Sequence, residues 1–344
     1  MISLEVTLPH NIGQMFYYGD RPWHKLGNKI DQPADLAGAL SAGGLNWDVD
    51  MVPIVPAGEP NSKITQRMAV VRNDRQPGTE GRVIGVVHPG FVPLQNRDGA
   101  ELFDSLLGKG ERVYHTGGYL KNGEVVWLLA KLPKEILLNG NDVIEPYLLF
   151  TNSHDGTIAI DIRLTTIRVV CNNTLTLALS KKQAADKVFR RAHNRSLGLL
   201  KAEAEDFYQF ALKQCDETQA LFAQLASKPC DDEAFKRYLL KLMPDLKKPA
   251  TTAHNASVVK AWDTRMASLL AARKCIQSIR DNGIPEQNIP ADEPNWWGAL
   301  NTITCWVDHL QETESDRYAH SLLGSGSTLK SRALAMAVSE IGQA

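Results

Sequence analysis

In the first half of the chain, β-branched and aromatic residues gather in short runs bounded by Gly, Asn, Asp and Pro. These runs are Arg67 to Arg72, Arg82 to His88, Arg112 to Leu120, Glu124 to Leu132, Tyr147 to Asn152 and Thr157 to Val170. Such runs predict strands. Lys121-Asn-Gly123 and Ser153-His-Asp-Gly156 fall between consecutive runs and predict two hairpin turns, because Asn-Gly and Asp-Gly accept positive φ readily. Helical spacing is expected between these runs at Asn96 to Leu107. With two hairpins and no regular βαβ alternation, the pattern predicts an α+β fold with an antiparallel sheet in the N-terminal half.

After residue 180 the apolar spacing changes to three and four. Phe207, Phe210, Leu221, Phe222 and Leu225 form one stripe, Phe235, Tyr238, Leu239 and Leu242 a second, and Val259, Trp262, Met266, Leu269 and Leu270 a third. Each is expected to face a core. A Pro-rich linker over 284–295 precedes two further helices, Trp296 to Leu310 and Thr328 to Ile341. The expected organisation is an α+β sheet domain over 1–180 and a helical region over 181–344. At the join, Arg168-Val-Val-Cys-Asn-Asn-Thr-Leu175 predicts a passage from strand to helix, with Asn172 and Asn173 at the N-cap and helix over Thr174 to Ser180.

Composition narrows the class without naming a reaction. The 344 residues are 43% hydrophobic and 22% charged, with a formal net charge of -1, so no global excess of charge announces a partner. Five cysteines without a Cys-x-x-Cys pair argue against a disulfide framework or structural zinc and point to a reducing cytoplasm. No stretch approaches the length of a membrane span. The histidines lack metal-ligand spacing, so neither metal nor cofactor is expected.

Several segments, taken in order, resemble one known family. They are Pro22-Trp-His-Lys-Leu-Gly27, Ser153-His-Asp-Gly156, Arg168 to Leu175, Trp297-Gly-Ala-Leu-Asn-Thr-Ile-Thr304 with Asp308-His309, and Leu323-Gly-Ser-Gly-Ser327 with Leu329-Lys330. The set is similar to phage/plasmid-like proteins that carry the domain of unknown function 932. What that resemblance implies is a setting of phages, plasmids and integrated elements, with no established reaction.

Local charge carries the leading functional expectation. Between Ile160 and Lys201, nine basic residues stand against Asp161 and Asp186: Arg163, Arg168, Lys181, Lys182, Lys187, Arg190, Arg191, Arg195 and Lys201. A basic strand and helix can track a phosphate backbone. The reading is of a nucleic-acid binding protein of mobile elements, most naturally a homo-oligomer on single-stranded DNA with a strand-annealing or recombination role. Tyr114, Tyr119, Trp127 and Tyr147 offer rings for stacking, though strand packing explains them as well. Gly324-Ser-Gly-Ser-Thr-Leu-Lys330, with Arg332, is a second anion-binding candidate at a helix start, with a plain cap at Ser325 or Ser327 as the alternative. A cysteine-dependent enzyme centred on Cys171 and assisted by His154 is the alternative function, and a factor acting on host proteins is the third.

Overall fold

The computed structural model describes residues 12–19, 27–59, 61–62, 64–107, 113–138, 142–168, 173–176, 188–194, 197–250, 256–285, 291, 293–310 and 324–342. Its larger sheet is mixed. Strands β1 (Ile12–Tyr18) and β2 (Asn28–Ile30) run parallel at one end, and antiparallel pairings lead through β6 (Val113–Leu120), β7 (Val125–Lys131), β9 (Asp142–Ser153) and β10 (Ile160–Arg168) to β11 (Asn173–Thr176). The short β8 (Ile136–Leu138) pairs with β9. A separate antiparallel sheet holds β3 (Val49–Ile54), β4 (Ile64–Arg72) and β5 (Val83–Val87).

Both predicted hairpins form. Between β6 and β7 the positive φ angles fall on Lys121 (52°) and Gly123 (107°), and Asn122 stays in ordinary backbone space. Between β9 and β10, Gly156 takes φ 76°. Ser153 locks this loop, its Oγ donating to Ile158 O at 2.7 Å and accepting from Ile158 N at 2.9 Å. The two loops touch, since His154 N donates to Glu124 O at 2.8 Å.

The join after β10 differs from the expected helix. Asn173–Thr176 is a strand, with Asn173 opposite Arg168 and Thr176 opposite Thr165. Asn173 therefore caps no helix, and Asn172 lies outside the described residues. Leu175 lies in this strand because the open edge of β10 offered its backbone hydrogen bonds, and 177–180 of the expected helix lie outside the described residues. The sheet also extends past residue 180. Strand β12 (Val188–Arg191) pairs with the first half of β10, so β11 and β12 share one edge of the same strand.

The helices pack on one face of the larger sheet or on one another. These are α1 (Leu36–Ala42), α2 (Asn96–Leu106), α3 (Leu197–Ser227), α4 (Asp232–Leu242), α5 (Ala256–Asn282), α6 (Trp296–Cys305) and α7 (Ser325–Gly342). Side-chain oxygens start three of them: Asp35 accepts from Gly38 N, Asp231 from Ala234 N and Asn295 from Gly298 N. One buried cluster runs from Phe16 through Phe150 and Phe222 to Ala337, so strands and helices share a core. A smaller cluster on the other face joins Met15, Trp127, Leu129, Tyr147, Leu149 and Ile167. Tyr114, Trp127 and Tyr147 are thus packing residues, and Tyr119 meets Trp47 edge to face at 6.2 Å.

Two of the three helical stripes face the core as expected. The third does not. On α5, Val259, Trp262, Met266 and Leu269 are only half-buried and Leu270 is 51% exposed, because α5 reaches beyond its neighbours and buries mainly Ile276 and Ile279. Helix α6 is buried along its whole length and continues into a π-helical turn, Trp306–Leu310.

Candidate nucleic-acid interface

Three chain segments close a groove of about 520 Å³: residues 86–91 at the end of β5, 155–159 in the β9–β10 loop and 192–194 leaving β12, with Arg67 of β4 beside them. Backbone geometry holds them together. Val92 N donates to His193 O at 2.7 Å, tying the first segment to the third. Gly85 lets β5 approach the loop, since a Cβ there would lie 2.6 Å from His154 O and 2.8 Å from the Asp155 Cα. No other residue type fits that contact.

Phe91 and His193 form the aromatic wall, stacked with centroids 4.5 Å apart and planes at 26°. His193 Nε2 lies 3.2 Å from Ile158 O and so carries the proton, leaving Nδ1 as a buried lone pair with no partner among the described residues. Burial is the main cause that lowers the His193 pKa below the ordinary 6.5. Asp155 accepts at one oxygen, Oδ1, from Thr157 N at 2.9 Å and Thr157 Oγ1 at 2.7 Å, and its side chain is half-buried at the groove. His88 accepts at Nδ1 from Gly90 N at 3.0 Å, which places its own proton on Nε2.

His154 sits beneath this wall, fully buried. Asn96 Nδ2 donates to Leu45 O and Trp47 O, which turns Asn96 Oδ1 toward His154 Nε2 at 2.9 Å. The imidazole is therefore the neutral Nε2–H tautomer. Burial, aided by His193, pulls its pKa down to about 3. Its ring lies 5.3 Å from Trp47, over which Arg72 stacks at 4.1 Å. Arg72 is in turn held by Asp74 and Asn122 O, so this layer is a braced support under the groove.

The basic residues named from the sequence fall into four groups. Arg163 and Arg190 both contact the carboxylate of Asp161, which is fully buried; the Arg190 contact is 2.8 Å, and its side chain remains 59% exposed against 14% for Arg163. Arg191, next along β12 and two residues before His193, stacks over Phe189 at 4.8 Å. Arg168 ends β10 opposite Asn173. Lys181, Lys182, Lys187, Arg195 and the thiol candidate Cys171 lie outside the described residues.

The second anion candidate is corrected by the structure. Lys330 is fully buried and donates to the equally buried Asp308 at 2.7 Å. Gly324-Ser-Gly-Ser leads directly into α7, where Gly326 and Ser327 are buried, so this turn presents no open cradle to a phosphate. Sequence placed Lys330 on a surface because helix-start lysines usually are exposed. Arg332 is exposed and donates to Leu242 O at 3.1 Å. Among the described residues no group of three His, Cys, Asp or Glu side chains could hold a metal, and no helix is long and apolar enough to cross a membrane.

Sequence reasoning missed Arg67, His88 and Phe91 as groove residues. Their only local signal was an aromatic residue directly after the Pro89-Gly90 turn. The arrangement defines an α+β protein in which a basic strand leads into a polar, aromatic-walled groove. Residues 83–325 match the family described as Domain of unknown function (DUF932), and the chain belongs to it. No curated protein and no solved structure matches the chain.

Proposed function

We propose that this protein binds single-stranded nucleic acid along β12 and into the groove. The observation that carries this reading is continuity. Strand β12 brings the exposed Arg190 and then Arg191 to His193, the groove opens there, and Arg67 stands beside it. Cationic side chains that follow a backbone to an aromatic wall are what a strand-binding surface needs, phosphates meeting guanidinium groups while a base meets a ring. The mixed character of the lining argues against a duplex site, since a paired base cannot reach a recessed ring. Annealing or recombination of mobile DNA, as a homo-oligomer, is the setting we propose for this binding.

The test is a titration of the purified protein with single-stranded DNA, duplex DNA and RNA across salt concentrations. Affinity for the single strand should fall steeply with salt. Arg67→Glu combined with Arg191→Glu should abolish it while the far-ultraviolet spectrum and melting temperature stay near the parent's. Unchanged affinity in the folded double variant would exclude this surface.

A further inference from the structure

The groove is neither an anion site nor a cation site. Arg67 and the Nε2–H of His88 are donors, Asp155 is the acceptor, and Phe91, backed by the His193 ring, supplies a half-exposed face. A phosphate alone would be repelled by the Asp155 carboxylate, and a metal or ammonium ion by the Arg67 guanidinium. A neutral heteroaromatic ring with donors on one edge and acceptors on the other satisfies both at once. Asp155 supports this directly. Its Oδ1 is occupied by the two Thr157 contacts, whereas Oδ2 makes no hydrogen bond to any described residue.

Among the nucleobases, the edge patterns decide. Guanine carries two adjacent donors, N1–H and the N2 amine, on its Watson–Crick edge, and two acceptors, O6 and N7, on the adjoining major-groove edge. Adenine and cytosine each offer a single amine donor group, and thymine or uracil a single N–H. The free Oδ2 of Asp155 shared by N1–H and N2–H, with a guanidinium facing O6 and N7, matches guanine and no other of these bases.

We infer that this groove is a guanine pocket: one unstacked guanine lies on Phe91, its Watson–Crick edge toward Asp155 and its O6/N7 edge toward Arg67. This rests on the single-strand reading above and gives it a base preference.

The experiment compares a thymidine tract with the same tract carrying one central guanine, inosine or adenine, by fluorescence anisotropy. The guanine should tighten binding by about tenfold, and inosine, which lacks the N2 amine, should recover only part of that gain. Asp155→Asn should remove the guanine gain while thymidine-tract affinity is retained, because the amide keeps the oxygen that Thr157 needs. A parallel arm measures the melting temperature with guanosine monophosphate and with adenosine monophosphate, where only the first should stabilise the parent and neither the Asp155→Asn protein. If the tract binds but guanine adds nothing and guanosine monophosphate gives no shift, the pocket is overturned and strand binding stands. If no strand binds yet guanosine monophosphate stabilises the parent alone, strand binding falls and the pocket stands. A guanine gain that survives in Asp155→Asn also overturns the assignment.

Discussion

Nζ of Lys330 lies 2.7 Å from Oδ1 of Asp308, and solvent reaches neither side chain. Asp308 is on the π-helical turn that follows α6, Lys330 is one turn into α7, and both α6 and α7 pack against β11. Three of the segments that carry the family resemblance thus pack together, two of them joined by this buried ion pair. Burial draws the lysine pKa down, and the carboxylate beside it draws it back up.

A buried pair of this kind costs most when half of it is removed. Lys330→Ala should lose about 3–5 kcal/mol by removing the cation that faces the buried Asp308 carboxylate. Lys330→Met combined with Asp308→Leu should recover most of that loss, since two apolar side chains leave no charge to desolvate. Urea unfolding of the two variants reads the difference directly. Equal losses in both would show that packing around the pair, not its charge, matters.

The two histidines near the groove predict acid sensitivity. His154 titrates at about 3 in the fold and at its ordinary 6.5 when exposed, and His193 is shifted in the same direction. The unfolded chain therefore binds more protons than the fold below pH 6.5. Stability from the neutral rings is complete above that pH and declines as pH falls toward about 3, by up to about 1.4 kcal/mol per pH unit for each ring. Unfolding free energies measured between about pH 7 and pH 4 should show this slope, and His154→Gln should flatten it by roughly one proton's worth.

Asp161 makes Arg163 and Arg190 unequal despite their shared partner. Arg190→Ala should cost under about 1 kcal/mol because its guanidinium is largely solvated, whereas Arg163→Ala should cost about 2–3 kcal/mol. Charge reversal at Arg190 would place a carboxylate against Asp161 and unsettle the β10–β12 edge. For that reason Arg191 and Arg67 are better probes of binding, and the melting temperature of each variant is the control.

Gly85→Ala should displace the loop over 154–156, because its new methyl meets the His154 carbonyl at 2.6 Å and that contact is backbone against backbone. A loss of about 1–3 kcal/mol is expected, as for overpacking elsewhere. If the groove binds as proposed, nucleic-acid affinity should fall with it. A Gly85→Ala protein of parental stability would mean that β5 can retreat from the loop without cost.

Local rules carried much of the fold. Runs of β-branched residues marked β4 to β7, β9 and β10, turn chemistry located both hairpins, and period-three-and-four stripes identified α3 and α4, because these signals depend on neighbours within a few residues. The amino-acid pattern also singled out Ser153-His-Asp-Gly156, a segment that lines and supports the groove. What it could not settle were choices made by partners distant in sequence. Asn173–Thr176 became a strand because β10 had a free edge, and the α5 stripe stayed half-exposed because, among the described residues, no helix covers it. Lys330 became an interior cation because Asp308 waits beside it, a contact across 22 positions. Arg67, Phe91 and Asp155 share a groove only because β5 and the β9–β10 loop pack together at Gly85. Periodicity reports which face of an element is apolar, but which element that face meets is decided by the packing of the whole chain, and the groove exists at that level alone.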